Sequence, residues 1–280
     1  MDLSPFTGIG AFGPAYEAML EQDTHAPDSV DRVLMSSMVR LSEETATHLY
    51  GSLTSLEMHY IKGSRAVLEG LLSSILGQNT EPEGKLAAIA EFTRSLGTHA
   101  PEDLGEMRFG GTEEEIIHRG SGWCTDVARA ACVLCQIAGL PTRMVYLYDL
   151  SHAYCGHVII EVFRGGRWGA VDSSTGIIYR TTAGHPASVW ELMNDASLID
   201  SHRKNPQAVY TTAEQFTSAG IANYFCWEHS RYDYTVTGLN AYCLSILEMG
   251  SKGWPGGLRW LHGEDGRGSV ATRLPSGQAR

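Results

Sequence analysis

A chain of 280 residues is long enough to bury a sizeable core, either as one large domain or as a domain with an addition. Its hydrophobic content of 43% is ordinary for a globular protein. A formal net charge of −11 argues against a nucleic-acid-binding surface and against attraction to anionic membranes. We therefore expect a globular protein that binds neither nucleic acid nor membrane.

The N-terminal sequence, MDLSPFTGIGAFGPAYEAML, lacks the basic segment and the long apolar core of a secretory signal. No run of about 18 apolar residues occurs along the chain, so no membrane span is expected. Six cysteines are too sparse for a disulfide scaffold. These features predict a cytoplasmic protein with reduced thiols.

The first part of the chain is predicted to be a helical layer. Apolar residues recur there at helical spacing in three segments, which are separated by glycine and proline. The segments are residues 29–53, 55–76 and 81–97. We expect residues 1–108 to pack as helices on the core that follows.

A buried helix is predicted to begin near Cys124. Residues 120–138 read GSGWCTDVARAACVLCQIA, and a helix that is apolar almost all round normally runs through a core. Ser121 is the predicted N-cap, and Asp126 lies in the first turn, where a negative charge suits the helix dipole. The unpaired N–H groups at this helix start favour the thiolate, which is the nucleophilic form of cysteine.

Residues 156–172, GHVIIEVFRGGRWGAVD, are predicted to form a β-hairpin. Two apolar runs rich in β-branched residues flank a glycine pair that is typical of a two-residue turn. If Arg164 pairs with Arg167, then Asp172 lies diagonal to His157 on the same face. Diagonal neighbours lie about 7–8 Å apart at the backbone, which is close enough for a carboxylate to bond an imidazole.

A cysteine at a buried helix start and a His–Asp pair on adjacent strands are the groups of a thiol acyl-transfer site. His157 would take the proton of the Cys124 thiol and later protonate the leaving group, while Asp172 orients the ring. The backbone N–H of Cys124 is one candidate donor to the oxyanion, and no second donor is marked by the sequence.

Glu161 lies on the same predicted face as His157. We expect it to form an ion pair with Arg143 or Arg164. If a bulge shifts the register of the hairpin, Glu161 is the alternative residue to orient the histidine.

These residues resemble, in their order, the pattern of the transglutaminase-like cysteine enzymes, a branch of the papain-like fold. The matching positions are Gly122 with Cys124, Gly139 with Pro141 and Arg143, His157 with Glu161, and Trp168 with Asp172. The resemblance covers residues 108–180. It implies an α+β fold with a buried helix packed on an antiparallel sheet, to which the N-terminal helical layer is added. It also implies a catalytic triad of Cys124, His157 and Asp172 that needs no cofactor.

Two further sets of residues have alternative interpretations. Cys132 and Cys135 form a C-x-x-C that could bind zinc with Cys155 or His152, but both lie in the middle of an apolar helix and no second C-x-x-C occurs. We therefore expect no metal. Trp123, beside the nucleophile, and His152, in a loop beside the site, are predicted to contact substrate. For His152 an ordinary loop residue is the alternative.

Fewer elements are predicted after the hairpin. Residues 176–180 are expected to form a further strand, and residues 186–195 and 213–225 are expected to form helices. Residues 251–280 are rich in Gly, Arg, Ser and Pro, with little periodicity, which predicts a partly disordered tail. The predicted division is a helical region at 1–108, a catalytic core at 109–250 and a tail at 251–280.

The sequence supports two hypotheses for the function. In the first, Cys124 attacks the carbonyl of an amide, ester or thioester, and water or an amine then resolves the acyl-enzyme. The acyl donor would be a small molecule or a peptide, and a transfer reaction would also need an amine acceptor. The preference for these donors rests on analogy. In the alternative, the chain is a non-catalytic transglutaminase-like binding module, which the presence of all three triad residues disfavours.

Overall fold

Helices and an antiparallel sheet make up the described part of the chain. The computed structural model describes residues 39–41, 43, 46, 49–50, 62–100, 109–149, 154–202, 216 and 218–222. The helices that surround the site are α1 (Ala66–Leu76), α2 (Pro82–Ser95), α3 (Glu113–Arg119), α4 (Cys124–Ile137), α5 (Val189–Asn194) and α6 (Ala196–Asp200). The strands are β1 (Val39–Arg40), β2 (Thr142–Asp149), β3 (Tyr154–Arg164), β4 (Arg167–Asp172), β5 (Ile177–Ile178) and β6 (Ser218–Ala222). The fold is α+β, as the sequence predicts.

The described strands form one antiparallel sheet in the order β1-β6-β2-β3-β4-β5. Strands β2, β3 and β4 follow one another along the chain, whereas β6 inserts between β1 and β2. Helix α4 packs against β2 and β3 on one side and against α2 and α3 on others. The helix that carries Cys124 is thus held between the sheet and the remaining helices.

Helix α4 is buried, as the sequence predicts, and most of its side chains are apolar. Every residue from Thr125 to Gln136 is buried. Its two long polar side chains have partners inside the protein, which is what burial of polar groups requires. Gln136 Nε2 donates to the carbonyl of Thr142 at 2.9 Å, and Arg129 Nη2 lies 2.9 Å from Glu113 Oε1.

The hairpin of β3 and β4 has the predicted register, since Arg164 lies opposite Arg167. The two glycines of its turn have φ angles of 58° and 79°, which a two-residue hairpin turn demands and glycine adopts at low cost. The irregularity in the neighbouring β2–β3 ladder lies on the far side of His157 from the hairpin turn, where the partner of Leu147 is His157 and that of Tyr148 is Cys155. Asp172 therefore remains on the face that carries His157.

Helices α1 and α2 confirm two of the predicted N-terminal helices within the described residues. Helix α1 begins three residues after Gly63, whose φ is 92°. Helix α2 begins at Pro82, a favourable first position because proline has the right φ and lacks only an N–H that would have no helical partner.

Two predicted helices are wrong in part, because each contains a strand, although Glu43 and Ala46 in the first of them are helical. Val39–Arg40 lies inside the predicted helix 29–53 but forms β1, and Ser218–Ala222 lies inside the predicted helix 213–225 but forms β6. Strand β6 reads SAGIA, which has little intrinsic strand preference. It is held by pairing with strands on both sides, and such tertiary context outweighs local propensity.

Three other predictions concern the chain after the β3–β4 hairpin. The strand predicted at 176–180 is present but short, as β5. The helix predicted at 186–195 is present as α5, followed directly by α6. The tail predicted at 251–280 lies outside the described residues.

Candidate active site

Cys124 is the first residue of α4 and is half-buried. Its backbone N–H has no partner within the helix, because the first N–H groups of any helix point away from the ladder. The turn before Cys124 contains Gly120, whose φ is 74°. A side chain at Gly120 would place its Cβ 2.9 Å from the carbonyl oxygen of Leu96. Glycine is needed there so that the turn can lie against the end of α2.

His157 and Asp172 meet across β3 and β4 at the diagonal that the sequence predicts. Nε2 of the histidine lies 3.1 Å from Oδ1 of the aspartate, and both side chains are buried. The same Oδ1 accepts hydrogen bonds from the backbone N–H of Ser174 at 3.0 Å and of Thr175 at 3.3 Å. The turn after β4 thus holds the carboxylate in place beside the ring.

The side chain of Cys124 lies close enough to the imidazole of His157 to raise the pKa of the ring. Because Nε2 faces Asp172, Nδ1 is the ring nitrogen left for the sulfur. Burial acts to lower the pKa of His157, but the charge and hydrogen bond of Asp172, together with the contact to Cys124, outweigh it and raise the pKa to about 10. The imidazole is therefore protonated at neutral pH, which suits a proton donor to a leaving group.

The raised pKa of His157 makes stability depend on pH. Its usual pKa is 6.5 and its value here is about 10. The folded protein binds this proton more tightly, so the stabilisation is complete below about pH 6.5 and disappears as the pH rises through about 10. We expect the free energy of unfolding to fall over this window by up to about 1.4 kcal/mol per pH unit. Urea unfolding at several pH values measures it, and a His157→Gln variant with the same pH slope would contradict the assignment.

Glu161 is an ion-pair residue and does not orient the histidine. Its Oε2 lies 2.7 Å from Nη2 of Arg143, and both side chains are buried. This is one of the two arginines expected from the sequence. The other, Arg164, pairs instead with Glu83 at 2.9 Å.

Ser121 is not the N-cap that the sequence predicts, whereas Asp126 lies in the first turn of α4 as predicted. The N-cap of α4 is Trp123, two residues after Ser121, and its side chain forms no capping hydrogen bond. Ser121 Oγ instead donates to Asp126 Oδ2 at 2.9 Å and accepts from the backbone N–H of Trp123 at 3.2 Å. The sequence signal for this contact is a serine and an acid five residues apart across a helix start. The helix dipole alone already accounts for an acid at this position, so the sequence does not indicate the bond to Ser121.

Trp123 lies next to Cys124, and its ring packs edge-on against Phe109 with 6.3 Å between ring centroids. The indole N–H is buried and has no hydrogen-bond partner among the described residues. His152, the other predicted substrate contact, lies outside the described residues. Both stay predictions.

Cys132 and Cys135 are buried in the middle of α4. Burial raises the pKa of both thiols, for Cys135 to about 12, so neither ionises readily. Within the described residues, no group of three or more His, Cys, Asp or Glu side chains is placed to hold a metal ion. Nor does any described helix have the length and apolar character to cross a membrane.

One comparison with known proteins matches the part of the chain that contains the candidate site. Residues 69–173 match the model of the transglutaminase-like superfamily, a segment that runs from α1 to the residue after β4. A comparison with curated proteins finds no match. A solved structure from Cytophaga hutchinsonii, described as a candidate cysteine protease, matches 40% of this chain with 19% sequence identity and a TM-score of 0.32. The match spans only 38% of that protein. The superfamily match supports cysteine-dependent catalysis in a general sense.

Proposed function

We propose that this chain, whose residues 69–173 form a transglutaminase-like domain, is a cysteine acyltransferase or hydrolase. The observation that carries the proposal is the buried histidine, His157, which contacts the carboxylate of Asp172 and the sulfur of Cys124. A thiol at a helix start, a base and an orienting acid in contact are the three roles of a nucleophilic triad.

In the proposed reaction, the Cys124 sulfur attacks the carbonyl carbon of an amide, ester or thioester. The C=O electron pair moves to oxygen, where the backbone N–H of Cys124 is placed to donate a hydrogen bond. As the oxyanion collapses, the bond to the leaving group breaks and the imidazolium of His157 supplies its proton. An acyl-enzyme remains, with the acyl group on sulfur and a neutral imidazole beside it.

The second half of the reaction reverses these roles. A water or an amine enters, and neutral His157 takes its proton while the incoming oxygen or nitrogen attacks the thioester. Cys124 leaves as a thiolate beside the imidazolium, so the starting state is restored. No cofactor takes part in either half.

The proposed acyl donor is a small molecule or a peptide, and an amine is the acceptor if the reaction is a transfer. Trp123 and His152 are the residues proposed to contact the donor. The buried indole N–H of Trp123, which has no partner in the described part of the chain, supports this role because a buried donor is costly unless something accepts its hydrogen bond.

Intact-mass analysis with a panel of acyl donors tests the proposal. Incubation with small thioesters and activated esters is expected to add one acyl mass to the wild-type protein. The adduct should be absent from Cys124→Ala. Peptide mapping provides an internal control, because the buried thiols of Cys132 and Cys135 should stay unmodified.

The rate of alkylation at Cys124 distinguishes a catalytic protein from a non-catalytic binding module. Iodoacetamide should label Cys124 faster than it labels N-acetylcysteine at the same neutral pH, and His157→Ala should remove the difference. Labelling at the rate of the model thiol, unaltered in His157→Ala and with no acyl adduct from any donor, would favour a non-catalytic module.

A further inference from the structure

The carboxylate of Asp126 joins three separate segments of the chain at the start of α4. Its Oδ1 accepts from the backbone N–H of Gly110 at 3.1 Å. Its Oδ2 accepts from Nη2 of Arg119 at 2.7 Å and from Oγ of Ser121 at 2.9 Å. The side chain is wholly buried. The loop before α3, the end of α3 and the turn before Cys124 are therefore tied to one carboxylate.

The turn before Cys124 is fixed on both sides. On the α4 side, Ser121 Oγ accepts from the N–H of Trp123 while it donates to Asp126. On the other side, the N–H of Ser121 donates to the carbonyl of Leu96 at 3.2 Å. The position of the residue just before the nucleophile thus depends on Ser121, which depends on Asp126.

A buried carboxylate at this place is not explained by stability. Burial raises the pKa of Asp126, while Arg129, Arg119, Ser121 and the Gly110 N–H act in the opposite direction. Well-packed apolar residues in place of a buried ion pair are often neutral or stabilising, so such a pair is weak evidence for a purely stabilising role. In some proteins charged groups of this kind select one geometry among several, and the contacts of Asp126 are with the segments that meet at the cysteine turn.

We propose that Asp126 is a positioning residue that acts through Ser121 to hold Cys124 in contact with His157, an inference that rests on the proposed function. Asparagine at this position would keep the shape but replace one acceptor oxygen with an NH₂ group. That group would face either the guanidinium of Arg119 or the backbone N–H of Gly110, both of which can only donate, even if the hydroxyl of Ser121 rotates to accept. The turn would shift to relieve the conflict, and a displacement of about 1 Å at a reacting atom can cost roughly a hundredfold in rate.

The matched control is Glu113→Gln. Glu113 is also a wholly buried carboxylate, and its oxygens lie 2.9 Å from Arg129 and 3.1 Å from Arg65. No contact described for it reaches the turn before Cys124. Both variants therefore lose one buried carboxylate charge, but among the contacts described only Asp126 is bonded to Ser121 in the turn.

The experiment measures the rate constant for alkylation of Cys124 by iodoacetamide in the full chain, well below the melting temperature of each variant. Asp126→Asn is expected to lower the rate by roughly ten- to a hundredfold. The pH profile of the rate should also differ from that of the wild type, because the contact between Cys124 and His157 is loosened. Glu113→Gln is expected to lower the melting temperature while the rate and its pH profile stay those of the wild type.

The possible results distinguish a failure of this inference from a failure of the proposed function. If wild-type Cys124 reacts no faster than N-acetylcysteine, the proposed function fails first. If the wild type reacts fast and Asp126→Asn reacts equally fast, the function stands and the positioning role is overturned. An equal loss of rate in both variants also overturns it, since that would be a general loss of structure. If Asp126→Asn does not fold, Ser121→Ala, which removes the connecting hydroxyl without a charge, should show a smaller loss of rate, and an unaltered rate refutes the role.

Discussion

Replacing His157 with alanine is expected to lower turnover at least about a thousandfold, while the protein stays folded. The imidazole is the only group shown in contact with both the Cys124 sulfur and the Asp172 carboxylate, within the described residues. Without it, the leaving group has no positioned proton and the acceptor has no positioned base. Cys124→Ala should abolish turnover altogether because no acyl-enzyme forms. Steady-state kinetics with a donor that gives an adduct measures both.

Asp172→Asn tests the charge of the aspartate separately from its hydrogen bond to the histidine. An asparagine oxygen can still accept the hydrogen bond from Nε2 of His157, so the ring stays oriented while the charge that raises the pKa of the imidazole is lost. Turnover should fall by less than in His157→Ala, and the alkaline limb of the pH–rate profile should move to lower pH. Wild-type turnover in His157→Ala or in Cys124→Ala would end the triad assignment. A loss in Asp172→Asn as large as that in His157→Ala would mean that the charge, rather than the orientation, is decisive.

The meeting of His157 and Asp172 was predictable because it depends on short-range rules. A two-residue turn fixes the hairpin register, and strand alternation then decides which side chains share a face. Both rules act within seventeen consecutive residues, 156–172, and the structure confirms the register. The position of Cys124 at a helix start followed in the same way from the glycines before it and the apolar run after it.

The position of β6 was not predictable from local sequence. Its residues, SAGIA, suit a helix or a loop as well as a strand when considered alone. They form a strand in the interior of the sheet because β1 and β2, far away in sequence, offer hydrogen bonds on both edges. The same limit applies to Asp126, whose partners at Gly110 and Arg119 belong to the preceding loop and helix. The helix dipole alone explains a negative charge in the first turn of α4, so the sequence does not indicate that Asp126 has partners outside the helix.

The pattern that resembles the transglutaminase-like enzymes contains two kinds of residue. Cys124, His157 and Asp172 contact one another at the proposed site. Arg143 and Glu161, which belong to the same pattern, form a separate buried pair beside the core. The second pair touches neither the cysteine nor the histidine in any contact described, and it joins β2 to β3, the strand that carries His157.

Glu161→Gln is expected to destabilise the protein by about 3–5 kcal/mol, the usual cost of removing one partner from a buried ion pair. The guanidinium of Arg143 lies 4.1 Å from the ring centroid of Trp168 and 4.8 Å from that of Tyr50, out of reach of water. Glu161 also accepts from the hydroxyl of Tyr50 at 2.8 Å and from the N–H of Val189 at 2.7 Å. A glutamine cannot neutralise the arginine, and its NH₂ group would replace one of the two acceptor oxygens that these donors use.

Urea unfolding of Glu161→Gln at neutral pH measures this effect, with Glu91→Gln as the control. Glu91 pairs with Arg94 on the surface of α2, where solvent screens the charges, so its loss should leave the unfolding midpoint unaltered. A double variant, Arg143→Met with Glu161→Leu, removes both charges and should recover much of the stability, because the uncompensated arginine is the source of the cost. If the single variant is as stable as the wild type, the Arg143–Glu161 pair does not hold the sheet, and the stability of the site must come from apolar packing around α4 alone.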